Sequence, residues 1–471
     1  MLFNSSEFLV LLGITFALYY TRALRSFQMA ILLVSSLVFY GFHQPWLLTL
    51  LLFSIFVNAV ASYRVYYGEP SRRLSWATLG VCVNLGLLIF FKYSGLLYRT
   101  FAQGASGPVS QFLNSIPLPI GISFFTFQGI SLVVDTYRMK KSGRELFTIH
   151  RSFASHLFTI AFFKSFFPQL VSGPIVKAHE FLPQIKLKSM CDIHWGLVFR
   201  QVVVGYFLKM VVADQLQDQT FWITPSFFQN CSSLTLVTLL FGYSMQIFAD
   251  FAGYSLIALG TAGLFSYRLP DNFNYPYISR SFSEFWTRWH ISLSTFLKQY
   301  LYFPLGGNRH GELRTYFNLA MVMVLGGLWH GATWSYAVWG CWHGLLLVLE
   351  RAFGANDSSK DESRILTFLR MVFVFSMVTV GWLLFKLPNF SDAISFVKSV
   401  FMNFSVPHQK MLIFNVMIFS IPVIGYHAWY LLKSATSVKV PSWCEAAVYG
   451  ALLFFILTST GEPGAFIYFQ F

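Results

Sequence analysis

In this chain of 471 residues 55% are apolar and only 11% are charged, whereas soluble domains carry about 25% charged residues, so an ordinary water-wetted surface is excluded. A mean hydropathy of +0.57, with 54 Phe and 13 Trp, points to lipid-facing helices with aromatic belts at the interfaces. The formal charge of +14 does not signal nucleic acid, because its basic residues lie in short clusters between apolar runs and not on one solvated face.

A bilayer core of about 30 Å takes about 20 helical residues to cross. Runs that meet or approach this length are Phe8–Tyr20, Phe27–Phe42, Trp46–Tyr63, Leu74–Phe91, Ser152–Val171 and Trp195–Val212. Further along come Leu234–Ala249, Phe317–Trp334, Tyr336–Leu349, Ile365–Phe385, Met411–Leu432 and Glu445–Leu457. The pattern predicts an all-α polytopic membrane bundle of roughly 11–12 spans, some short enough to be tilted or re-entrant. One domain covers residues 1–471, with a core at about 116–350 and further spans at 365–471.

The first run follows Glu7 and precedes Arg22 and Arg25, the reverse of a cleavable leader, so it reads as an uncleaved span. Basic clusters at Arg22 and Arg25, at Arg64, Arg72 and Arg73, and at Arg138–Arg151 occupy alternate loops, while the turn at His43–Pro45 has no Lys or Arg. By the positive-inside pattern the basic loops face the cytoplasm and the N-terminus faces outward. Segment Ile116–Val134 opens with Pro117 and Pro119 and carries Gly121 and Gly129, and reads as one that dips into the membrane. Ser266–Tyr316, less apolar but rich in Tyr, Phe and Trp, fits the membrane interface. Only Gly354–Ser363 is plainly hydrophilic, so any chemistry belongs to the bundle or its rim. Cys82, Cys191, Cys231, Cys341 and Cys444 are scattered without a CxxC spacing, which leaves no disulfide framework.

Ionisable groups within spans are costly and mark candidate sites. His330 follows the apolar run Leu319–Leu325 and is flanked by Gly326, Gly327 and Gly331, which leave room for a helix or a ligand. A buried imidazole is kept neutral and serves as a base; the other reading is a core histidine satisfied by a neighbour. His290, in the partly polar helix Glu284–Ser294 with Arg288 and Ser292, reads either as a group polarising a carbonyl or as an interfacial hydrogen-bond partner. Asp250, at the end of an apolar run, either orients a histidine or pairs with a structural Arg. Lys164, Lys209 and Asp214, near span ends, read as structural through snorkelling or local pairing. His343 brings a third histidine, but no pair has the i, i+4 spacing of a helical zinc site, and no metal is expected. No GxSxG, Walker-type loop or HExxH is present.

Phe285-Trp-Thr-Arg-Trp-His-Ile-Ser-Leu-Ser294, Tyr300-Leu-Tyr-Phe-Pro-Leu-Gly-Gly-Asn-Arg309 and Gly327-Leu-Trp-His-Gly331 together resemble the central block of the membrane-bound O-acyltransferase (MBOAT) family. The resemblance is greatest to its bacterial branch in alginate and cellulose acetylation. It extends to Ile120–Phe127, Asp135–Arg138, Val171–Pro174, Tyr254-Ser255, Asn272–Asn274 and the closing Phe466–Phe471. It implies a funnel-shaped bundle of the family's type, with a tunnel between a cytoplasmic donor and an acceptor on the other side. His330 then corresponds to the family's catalytic histidine and His290 to the position held by Asn, Asp or His. Trp329 and Asn318 are further substrate-side candidates beside Arg288, Ser292 and Asp250. Thr287 departs from the pattern, in which relatives carry Arg or another long polar residue.

The resemblance also implies an acetyltransferase of the bacterial inner membrane with no bound cofactor. Acetyl-CoA or an acyl-carrier thioester is the co-substrate. Implied partners are membrane lipid, a periplasmic SGNH-type acyltransferase or relay protein, and, through it, an exported polysaccharide. Two rivals stand beside it. One is D-alanyl transfer to teichoic acid from a carrier-protein thioester. The other is a transporter with intramembrane histidines, which predicts inverted repeats that the sequence does not display.

Overall fold

In lipid a backbone must close its own hydrogen bonds, and the long Leu, Val, Ile and Phe runs do so as helices. The computed structural model describes residues 1–101, 116, 119–170, 173–354, 363–436 and 440–459; every regular element among them is helical. Among the described residues seven helices are long and apolar enough to cross a membrane: Arg22–Gly41, Leu47–Tyr67, Pro70–Tyr98, Trp195–Thr220, Ser233–Leu264, Arg364–Lys386 and Lys410–Ala435. Ser6–Tyr20 and Ser442–Thr458 are apolar but shorter. Glu312–His330 and Trp334–Ala352, read from the sequence as two apolar runs, fall outside the seven because Glu312, Arg314 and Asn318 in one and His343, Glu350 and Arg351 in the other dilute their apolarity. Part of the Gly354–Ser363 stretch, Val171 and Ser172 and the closing Phe466–Phe471 lie outside the described residues.

The chain divides into two compact units, Met1–Val202 with Ser255–Pro270, and Val203–Tyr254 with Asp271–Phe471. In the first, helices Leu47–Tyr67, Arg73–Leu88 and Ile122–Ser142 pack on one another. The segment read as a dip is, from Ile122 onward, an unbroken 21-residue helix entered through Gly121 at φ +77°. Gly129 is needed within it for packing. A Cβ there would lie 2.5 Å from Asn84 Oδ1 and 2.6 Å from Asn58 Oδ1. Those two buried amides bond reciprocally, Asn84 Nδ2 to Asn58 Oδ1 at 2.8 Å and Asn58 Nδ2 to Asn84 Oδ1 at 3.2 Å, which removes the cost of burying them. Lys164 does not snorkel: it is fully buried and donates to Ser54 Oγ at 2.6 Å. His179 Nδ1 donates to buried Asp135 Oδ2 at 2.7 Å, with an Arg138 amino nitrogen 4.0 Å from the same carboxylate.

In the second unit, Lys209 lies in a widened π-turn, Phe207–Ala213, and bridges Asp214 Oδ1 and Asp250 Oδ1 at 2.7 Å each. Asp250 is therefore no run end. The helix Ser233–Leu264 continues through it because the charge is neutralised in place by a lysine. Lys209 and Asp214 pair locally, as expected. Helices Glu312–His330 and Trp334–Ala352 form the tightest pair. A Cβ on Gly327 would stand 3.0 Å from Gly340 Cα and collide with the Tyr336 carbonyl; one on Gly340 would collide with the Met323 carbonyl. Trp342 Nε1 donates to Met377 O at 3.0 Å and Ser335 Oγ to Leu387 O at 3.0 Å, which ties this pair to the helix Arg364–Lys386.

Candidate active site

The stretch read as one helix from Glu284 to Ser294 is two short helices, Phe282–Arg288 and Ile291–Leu297, broken at His290. His290 sits at φ +43°, ψ 55°, a left-handed conformation that an L-residue holds only when its surroundings impose it. The freed backbone groups are taken up by a neighbouring loop. Ile291 N donates to Asn272 O and Asn274 N to Arg288 O, both at 2.9 Å, and Ser292 Oγ donates to Asn272 Oδ1 at 2.6 Å. No local periodicity reveals this clamp, so the helix prediction failed at its centre. The first short helix is pinned by Glu350, whose carboxylate accepts from the amides of Phe282 and, at 3.0 Å, Ser283. Glu350 was absent from the sequence-level candidates; a carboxylate near the end of an apolar helix was the available signal.

The break carries His290 into full burial, with its ring edge-on to Phe251 at 4.6 Å between centroids and 5.7 Å from Trp329. His330 is the last residue of its helix and only 3% exposed. Its ring is held by Trp329 at 5.0 Å, Trp339 at 5.2 Å and Phe385 at 5.4 Å, and its centroid is 6.1 Å from that of His290. The three glycines do what their position suggested. Gly327 admits the Trp334–Ala352 helix, Gly331 admits the ring of Tyr336, and Gly326 lines a space beside Leu297.

That space is a cavity of about 610 Å³, within the range of about 300–1,000 Å³ usual for small-ligand sites. His330, Trp339, Leu293, Met323 and Gly326 form its buried wall, and Thr287, Lys298, Asn308 and Arg351 its exposed rim. Thr287, the departure from the family pattern, thus stands where a longer side chain would enter the opening; its hydroxyl turns back to Glu284 O at 2.7 Å. Of the sequence candidates, His330 alone lines this cavity among the described residues. Arg288 is turned to Glu284 Oε1 at 2.9 Å, to Asn274 O at 3.0 Å and over the ring of Tyr430. Burial pushes the Glu284 carboxyl up, but the Arg280 amide and the Arg288 and Arg280 guanidinium groups outweigh it and hold its pKa below the ordinary value. Ser292 serves the Asn272 clamp, Asp250 serves Lys209, and Trp329 packs against both histidine rings without facing the cavity. Asn318 Nδ2 donates to Gly307 O at 2.9 Å and Leu305 O at 3.3 Å, bracing the Gly306-Gly307 turn. His343 touches Trp339 at 4.8 Å and Trp286 at 5.2 Å, behind the wall that those tryptophans form.

The cavity, both histidines and the Asn272 clamp fall within residues 105–383, which match the model of the membrane-bound O-acyltransferase family. Over 410 residues, 85% of this chain and 75% of the relative, the chain is 35% identical to the probable alginate O-acetylase AlgI of Pseudomonas aeruginosa. It is 36% identical to the peptidoglycan O-acetyltransferase of Helicobacter pylori over 395 residues, 78% of this chain and 73% of that one. The teichoic acid D-alanyltransferase of Bacillus subtilis is more distant, at 28% over 57% of this chain and 68% of the relative.

Proposed function

The chain belongs to the membrane-bound O-acyltransferase family, and from that premise we propose that it moves an acetyl group from a cytoplasmic thioester to an exported polysaccharide, with His330 as the catalytic base. That it is a multi-pass membrane protein and an O-acyltransferase follows from the family and its apolar helices. The finer reading rests on one observation: a buried imidazole on the wall of a cavity whose rim is open.

In the proposed step an acceptor hydroxyl enters beside His330. The imidazole takes its proton as the oxygen attacks the thioester carbonyl, so a C–O bond forms. The tetrahedral intermediate collapses with cleavage of the C–S bond, and the departing sulfur recovers the proton from His330. His290 acts as a positioning residue, setting Trp329 and through it the ring of His330. The acceptor is a side chain of a periplasmic SGNH-type relay protein or the sugar itself. The donor is acetyl-CoA or an acylated carrier, and no bound cofactor is required. The protein sits in the bacterial inner membrane with its N-terminus in the periplasm, an orientation supported by the alternate basic loops. The identity relationships favour acetyl over D-alanyl transfer, since the acetylating relatives align more fully.

The test is O-acetyl content of the exported polymer in a host deleted for its own copy and complemented with wild type or His330→Ala. Wild type restores acetylation; His330→Ala, present in the membrane at equal level, does not. Restoration by the variant would refute the assignment. Envelope D-alanine instead of acetate would favour the rival acyl group.

A further inference from the structure

A third buried histidine stands behind the cavity wall and has no part in the transfer chemistry. His343 lies one helical turn after Trp339 on the helix Trp334–Ala352 and is fully buried. Its ring meets Trp339 at 4.8 Å, Trp286 edge-on at 5.2 Å and Phe285, nearly parallel, at 6.2 Å. The helix Arg364–Lys386 makes room for it, since a Cβ on Gly381 would stand 3.0 Å from His343 Nε2. Neither nitrogen of that ring has a hydrogen-bond partner among the described residues, and neither has the indole N–H of Trp339. Buried polar groups without partners are rare and costly, and a phenyl ring would fill the same aromatic box without that cost. A neutral imidazole offers one acceptor nitrogen and the indole in contact with it offers a donor, so a turn of the two rings pairs both.

We propose that His343 is a positioning residue: its acceptor nitrogen takes the indole N–H of Trp339 and so fixes the wall against which His330 works. The inference rests on the reading of the cavity as the acyl-transfer site. Trp339 lines that cavity and packs edge-on against the ring of His330, at 5.2 Å and 83°. Trp382 stacks on it at 5.7 Å and 24°, which limits its tilt but gives its N–H nothing to donate to. A base transfers a proton efficiently only when its ring is held in place by its neighbours, so the orientation of Trp339 bears on the rate.

The first readout is the indole N–H resonance of Trp339 in the full-length protein, isotopically labelled at its indole nitrogens, held in phosphatidylcholine nanodiscs and assigned by its loss in Trp339→Phe. His343→Phe is expected to shift that resonance upfield, as loss of a hydrogen bond does. The second readout is the initial rate of O-acetylation of the exported polymer in the complemented host, at equal protein level and below the melting transition of every variant. His343→Phe is expected to lower it about tenfold, the worth of one hydrogen bond. His343→Asn and His343→Gln keep an acceptor near the places of Nδ1 and Nε2, and one of the two is expected to restore both resonance and rate. A Trp339 resonance that ignores His343→Phe overturns the proposal, as does a shift carried by Trp286 in its place. So does a rate that His343→Phe leaves unchanged, or one that falls and is restored by neither amide, since packing alone then accounts for it. Undiminished acetylation by His330→Ala removes the active-site reading itself, whatever the indole resonance shows.

Discussion

Trp329 touches both histidine rings, His290 at 5.7 Å and His330 at 5.0 Å, while the two imidazoles stand 6.1 Å apart at an angle of 52°. Only one of the two faces the cavity. The three rings form one contact cluster in which His290 packs on the imidazole that lines the cavity.

Two residues acting within one contact cluster do not contribute independently. His330→Ala is expected to lower acyl transfer by about 10²–10⁴-fold, the usual worth of a positioned base. His290→Ala alone is expected to cost less, to act on kcat with KM unchanged, and to cost almost nothing further in the His330→Ala background. A double-mutant cycle on purified protein measures this. Additive losses would place His290 in a separate role.

Asn272 holds the strained turn from outside it. Asn272→Ala removes the acceptor of the 2.6 Å bond from Ser292 Oγ and is expected to cost about 1 kcal/mol of stability, with a larger proportional loss of kcat than of melting temperature. Asn272→Asp, which keeps the acceptor, restores both. Thermal melts in detergent beside transfer rates decide it; a kcat that follows stability alone would make the clamp purely structural.

Gly340 permits a close helix contact in the second unit. Gly340→Ala drives a methyl into the Met323 carbonyl and is expected to destabilise by about 1–3 kcal/mol. Gly86→Ala is the matched control, because a Cβ there meets nothing within 4 Å, and its melting temperature should hold or rise.

Lys209 neutralises two carboxylates inside the bundle. Lys209→Met removes the cation that bridges Asp214 and Asp250 and is expected to cost about 3–5 kcal/mol. The triple change Lys209→Met, Asp214→Asn and Asp250→Asn should recover most of that loss, because it removes the buried charge along with its partner. Detergent melting curves of the two proteins make the comparison.

Much of the fold is legible in the sequence. Runs such as Trp46–Tyr63 and Ile365–Phe385 became the helices Leu47–Tyr67 and Arg364–Lys386, since a long apolar stretch has one way to close its backbone bonds in lipid. The glycines around His330 announced close approach, and close approach is what they provide. Illegible were the kink at His290, which depends on Asn272 and Asn274 from another segment, and the partner of Asp250, which lies in a different helix.

Composition alone determined that this chain lives in a membrane, and the order of its apolar runs and motifs determined that it is helical and belongs with the O-acyltransferases. Those properties are local, set by what each stretch does with its own backbone and side chains in a solvent without hydrogen bonds to offer. The tertiary structure decided which candidates share a cavity: it placed His330 there with Lys298 and Arg351, packed His290 against Trp329 and His330, and gave Arg288, Ser292 and Asp250 to supporting pairs. That choice rests on contacts between residues far apart in the chain, whose geometry is selected by packing as a whole and is written in no single segment.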